Sequence, residues 1–229
     1  MREDRLPFNI QESKKLSTTG GENEIERMQI KGKSGAELDM ILKESKFVAL
    51  ADDAEMQRLK STYEFMKNDP DFGRFVIDTN FVKAQRNAAE PAKAYLVQKF
   101  IPGRRIDEIS NKEIYGNKTV AAELLQFVRA AILMLEKTKS DPQHKPDFNA
   151  DTKTFLGKFL HNPRFSGNIL VADSAANLPQ QIYFVDTGAV FGPGFNESRI
   201  EKLRRPLDNK LQLIQLKRWA SKLEQTLAN

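Results

Sequence analysis

Residues 117–137, NKTVAAELLQFVRAAILMLEK, constrain the fold more than any other stretch. The run is too long for a strand and apolar nearly all round, so it predicts a helix at the centre of a packed lobe rather than one lying on a surface. A chain of 229 residues is long enough to build a core around such a helix and to form a second small lobe as well. The carboxy-terminal stretch predicts a partner for it. In DNKLQLIQLKRWASKLEQTLAN, Leu213, Leu216, Ala220, Leu223 and Leu227 fall on one helical stripe, the pattern of a helix packed on the same lobe.

The first hundred residues have a different character. Residues 1–12 are polar and contain Pro7, and they read as a tail. Residues 13–45 break into short runs punctuated by Gly20-Gly21, Gly32 and Gly35, with alternation at Met28 and Ile30 and again at Leu38, Met40 and Leu42. This predicts three short antiparallel strands. A helix follows, opened by Asp52-Asp53, carrying Met56, Leu59, Tyr63 and Met66 at helical spacing, and closed by Asp69-Pro70 and Gly73. Two further strand-like runs, RFVIDTNFVKA and KAYLVQKFI, precede the break at Pro102-Gly103. Beyond residue 137 come a loop, a short helix over DTKTFLGKFL, and the sequence HNPRFSGNILVADSAANLPQQIYFVDTG. That last segment predicts a hairpin with Asn168 at the mouth of its first strand and Asp186 at the end of its second.

The expectation is an α+β chain of two lobes: a tail over 1–12, a sheet with one helix over 13–101, and a helical lobe with an inserted hairpin over 102–229. Composition narrows the function classes. Cysteine is absent, which removes disulfides, thiolate metal sites and a cysteine nucleophile together. Histidine occurs only at positions 144 and 161, too few for the usual zinc site. The formal charge of +5 comes from scattered basic residues, which favours anionic ligands in general and speaks against nucleic acid, since no basic patch interleaved with aromatics is present. No segment approaches the ~18 apolar residues of a membrane span, and a cytosolic site of folding is expected. Export as an effector by a route that reads an amino-terminal tail has no strong physical signature and stays open.

The order of these parts resembles the protein-kinase-like superfamily over about residues 13–190, in particular its compact members such as the aminoglycoside phosphotransferases and bacterial effector kinases. That resemblance implies ATP and magnesium as cofactors, a protein or small-molecule hydroxyl as acceptor, and a set of site residues. Gly20 and Gly21 would let backbone amides cover the phosphates, although the family's three-glycine spacing is missing. MILK, residues 40–43, is similar to the strand that ends in the phosphate-gripping lysine. Period two puts Ile41, toward adenine, on the same face as Lys43. Glu55, on the following helix, would pair with Lys43. A rival alignment takes FVALA, residues 47–51, as that strand and leaves Ala51 at the lysine's place. Lys99 to Ile101 would offer backbone groups to the adenine edge. Asn168 and Asp186 would hold magnesium through one amide and one carboxylate oxygen.

One departure bears on chemistry. Five residues before the metal-binding Asn, the family carries the aspartate that orients or deprotonates the acceptor, and here Pro163 stands there. Three consequences compete: a pseudokinase acting through its surface, a carboxylate supplied by Asp147 or Asp151 just upstream, or transfer of another part of the nucleotide, as in the AMP-transferring pseudokinases of the selenoprotein-O type. His161 is a further candidate base, with a structural role in the loop as its alternative.

Overall fold

The computed structural model describes residues 10–16, 23–31, 37–45, 53–84, 92–140, 168–174, 178–185 and 199–228. It is a mixed α+β structure with two small antiparallel sheets, and the chain divides into two compact units, residues 1–61 with 77–101, and residues 62–76 with 102–229.

The first unit holds strands β1 (Ile10–Leu16), β2 (Asn23–Lys31), β3 (Glu37–Ser45), β4 (Thr79–Ala84) and β5 (Lys93–Lys99), in the spatial order β1-β2-β3-β5-β4. The three glycine-punctuated strands and the two later runs are therefore present. The first strand starts at Ile10, inside the stretch read as a tail. Ile10 pairs with Ile30 and Glu12 with Gln29 across a register shift, so backbone pairing to β2 recruits polar residues that composition alone assigns to a tail. One sheet face carries a small core of Met28, Leu42, Tyr95 and Val97, with Met40 and Val82 against it. The residues alternating with these, including Arg27, Asp39, Ile41, Lys43 and Gln98, belong to the opposite face.

Helix α1 (Asp53–Lys67) begins where the paired aspartates predicted, and its last six residues, from Thr62, belong to the second unit. The boundary thus differs from a single break after residue 101. Met66, Phe72, Phe75 and Val76 are buried in the helical core, which accounts for the 62–76 stretch belonging to the second unit. A glycine is required in the turn that follows α1: a Cβ on Gly73 would lie 2.0 Å from the carbonyl oxygen of Lys67.

The second unit is built around α3 (Lys118–Lys137), which follows the short strand β6 (Gly103–Arg105) and the short helix α2 (Asn111–Gly116). The Asn117 side chain caps α3 by accepting from the Val120 N–H at 3.1 Å. Ten of its residues are buried, among them Leu124, Phe127, Val128, Ala131 and Met134, while Gln126, Arg129, Leu133 and Glu136 reach solvent. The helix is central, but it keeps one wet stripe. Helix α4 (Arg199–Ala228) packs Leu216, Trp219, Ala220 and Leu223 into the same core, and Arg129 and Glu224 pair across the two helices at 2.8 Å. It starts before Pro206, nine residues ahead of the stretch whose periodicity predicts it.

Strands β7 (Ile169–Ala172) and β8 (Ile182–Phe184) form the expected hairpin and pair with β6 in the order β6-β7-β8. Phe184 is fully buried against the rings of Phe72 and Phe127, with centroids 5.5 and 6.3 Å away. Among the described residues no helix is long and apolar enough to cross a membrane.

Candidate functional site

In the first unit the register places Lys43 directly across from Ile25 on β2 and from Leu96 on β5, with Ile41 across from Arg27 and Gln98. Directly opposed residues of antiparallel strands share a face, so Lys43, Ile41, Arg27, Leu96 and Gln98 lie together. Strand β3 includes Lys43, as the favoured alignment requires. Residues 47–51, on which the rival alignment rests, lie outside the described residues. Lys43 is half-buried, and Gln98 is buried with its amide donating to the Thr79 hydroxyl at 2.9 Å; that hydroxyl donates in turn to the Ile77 carbonyl at 3.1 Å. The buried polar groups of this row are thereby satisfied.

Next to this row stands an arrangement that no motif announces. Arg27 Nε donates to both carboxylate oxygens of Asp39, at 2.9 and 3.1 Å, and Arg27 Nη2 donates to Asp39 Oδ2. The guanidinium carbon lies 3.8 Å from the centroid of the Phe100 ring. Phe100 is itself tied down, because its N–H donates to the Asp39 carbonyl at 2.9 Å. The hydrogen bond to Asp39 raises the Arg27 pKa above its already high ordinary value, so the cation is permanent. The signal in the sequence is only an Arg and an Asp on adjacent strands. Without the β2–β3 register, nothing says that they meet.

This arrangement changes the expectation for residues 99–101. Lys99 is exposed and pairs with Met40, which puts its side chain on the sheet face away from Ile41. Ile101 is buried. Of the three backbone N–H groups expected to meet a nucleotide base, that of Phe100 is already committed to Asp39.

In the second unit Asn168 stands half-buried at the mouth of the hairpin, one residue before β7. Its carbonyl accepts from the Val185 N–H at 2.9 Å, continuing the ladder in which Ile169 pairs with Phe184. Asn168 is therefore held beside Val185, the residue that precedes Asp186 in sequence. Two anchors fix this end of the hairpin, since Ile169 and Phe184 are both buried in the helical core. At the other edge, the Asp173 N–H donates to the Pro102 carbonyl at 2.9 Å, and Gly103 approaches Val171 so closely that a Cβ would lie 2.3 Å from its carbonyl oxygen. The Pro-Gly break is thus a packing requirement as well as a turn.

Gly20, Gly21, Asp147, Asp151, His161, Pro163 and Asp186 lie outside the described residues, as does the side chain of Glu55, whose backbone is in the first turn of α1. Among the described residues no three carboxylate or imidazole groups gather in a way that could hold a metal ion. An amide oxygen at Asn168 and a carboxylate at Asp186 are hard oxygen donors of the kind magnesium prefers, provided phosphates and water complete its shell. No protein-family model matches this sequence, and no curated protein matches it.

Proposed function

We propose that the chain is a bilobal, kinase-like protein that binds ATP with magnesium and transfers a phosphoryl or nucleotidyl group to a hydroxyl of a protein or small molecule. The observation that carries this reading is the hairpin register, which pins Asn168 to Val185 at the end where Asp186 follows. A metal bridged to phosphates can be held by one amide oxygen and one carboxylate from neighbouring strand ends, and the hairpin register sets Asn168 beside the residue that precedes Asp186 in sequence. Lys43, on the face of β3 that also carries Ile41, is assigned to the phosphates, with Glu55 as its partner. Gly20 and Gly21 are assigned to covering the phosphates. When bound, the metal would neutralise charge on the phosphates, while Asn168 and Asp186 would orient it.

A second reading, a catalytically silent pseudokinase that serves as an interaction module, is favoured by Pro163 at the position of the acceptor-orienting aspartate and by the Phe100 N–H already bonded to Asp39. Phosphoryl transfer relies chiefly on positioning and charge neutralisation, so loss of the aspartate slows chemistry without forbidding it. Asp147 and His161 remain the candidate substitutes.

Thermal unfolding with and without millimolar Mg–ATP tests the reading. A ligand present at about 100 times its Kd stabilises the folded state by about 2.7 kcal/mol, a rise of several degrees. No rise would remove ATP as the ligand. A rise without transfer of label from γ- or α-labelled ATP to any acceptor would leave the silent form.

A further inference from the structure

We infer that Arg27 selects guanine over adenine as the base of the bound nucleotide, an inference that rests on the nucleotide-binding reading and sharpens it. Arg27 lies directly across from Ile41, the residue assigned to the base, and on the same sheet face. Its side-on edge, Nε and Nη2, is spent on Asp39, and one flat face lies on Phe100. The end-on edge, made by Nη1 and the outer hydrogen of Nη2, donates to no described residue, and the side chain keeps 39% of its surface exposed. A planar fork of donors is thereby held in one orientation by a carboxylate behind it and an aromatic ring beneath it.

The chemical complement of that fork is a pair of adjacent acceptors in one plane. Guanine presents O6 and N7 side by side, both acceptors, whereas adenine presents N7 beside the N6 amino group, a donor that meets the fork with like polarity. Adenine also loses on the connector side, since the Phe100 N–H that could meet a ring nitrogen is bonded to Asp39. The guanidinium is a positive charge near any triphosphate, so a general gain in affinity would not discriminate. The discriminating feature is the paired geometry of the donors.

The test is calorimetric titration of the full chain, with magnesium present, using GTP, ITP and ATP, repeated on Arg27→Lys and Arg27→Met. ITP keeps O6 and N7 but lacks the exocyclic amine of guanine. Wild type should bind GTP and ITP about tenfold or more tightly than ATP, the discrimination expected of one bidentate arginine. In Arg27→Lys, which keeps the charge and loses the fork, the three affinities should fall within about twofold of one another. Arg27→Met, which keeps the stem against Phe100, should give the same equality, and Arg27→Lys alone decides the matter if the Met variant fails to fold. Equal or tighter binding of ATP by wild type overturns the inference and leaves the nucleotide reading standing. ITP behaving as ATP, or a guanine preference that survives Arg27→Lys, also overturns it. Absence of binding by all three nucleotides overturns both.

Discussion

Phe184→Ala is the substitution that most sharply tests how the hairpin is held. The ring is fully buried, sits 5.5 Å from Phe72 in an edge-on arrangement and 6.3 Å from Phe127, and belongs to a strand that pairs with Ile169 and bridges to Val76. Truncating a buried Phe costs about 3–5 kcal/mol through lost burial and the cavity left behind. The two ring pairs, each worth about 0.5–1.5 kcal/mol beyond area, place this site in the upper half of that range. Against a typical domain stability of about 5–15 kcal/mol, the loss is large enough to read directly. Trp219 is the single tryptophan, is buried at 4% exposure and belongs to the same core, so its emission during urea unfolding reports on the second unit. Leu133→Ala, at 44% exposure on the wet stripe of α3, serves as the control and should stay within about 1 kcal/mol of wild type. A Phe184→Ala loss below about 1 kcal/mol, or equal losses for both variants, would refute the claim that this core anchors the hairpin.

Two further substitutions probe the scaffold of the site. Gly103→Ala drives a methyl group into the Val171 carbonyl, so the β6–β7 pairing must shift; a cost of about 1–3 kcal/mol in the same urea assay is expected, and an unchanged midpoint would contradict the close approach. Asp69 is opposed by burial but held below the ordinary carboxylate range by its bonds to Lys137, at 2.6 Å, and to the N–H groups of Phe72 and Asp71. Its folded pKa is depressed, so its stabilisation is present above the unfolded value of about 3.9 and is lost as pH falls through the folded value. Asp69→Asn should therefore cost about 1.5–3 kcal/mol at pH 7 and approach wild-type stability as pH falls below the unfolded value and through the lower folded one, whereas parallel pH profiles would contradict the assignment.

Periodicity and punctuation made most of the elements readable. The apolar run at 117–137, the paired aspartates before α1 and the turn residues between strands each have a local cause, so α3, α1 and the five-stranded order of runs follow from residues near one another. What was not legible depends on partners distant in sequence. Ile10 joins a strand because Ile30 is beside it, and residues 62–76 belong to the second unit because Phe72 and Phe75 pack on Phe127, about 50 positions later. The start of α4 at Arg199 runs against the local rule that Pro206 should delay it, and nothing in the described contacts explains why it does not.

The same division holds at the site. The place of Asn168 at the hairpin mouth was readable because hairpin, turn residue and strand edge are contiguous, and the shared face of Ile41 and Lys43 because period two needs only three residues. The Arg27–Asp39–Phe100 arrangement was invisible, since it is set by the β2–β3 register and by the first residue after β5. Yet that arrangement decides which polar groups on this face are already used.

The role assigned to Asn168 is tested by the magnesium dependence of nucleoside triphosphate binding, measured at equilibrium in wild type and in Asn168→Ala. Wild-type affinity should fall about tenfold or more when magnesium is chelated, and Asn168→Ala should bind weakly with or without the metal. Wild-type binding indifferent to magnesium, or an Asn168→Ala variant that matches wild type at every magnesium concentration, would contradict it.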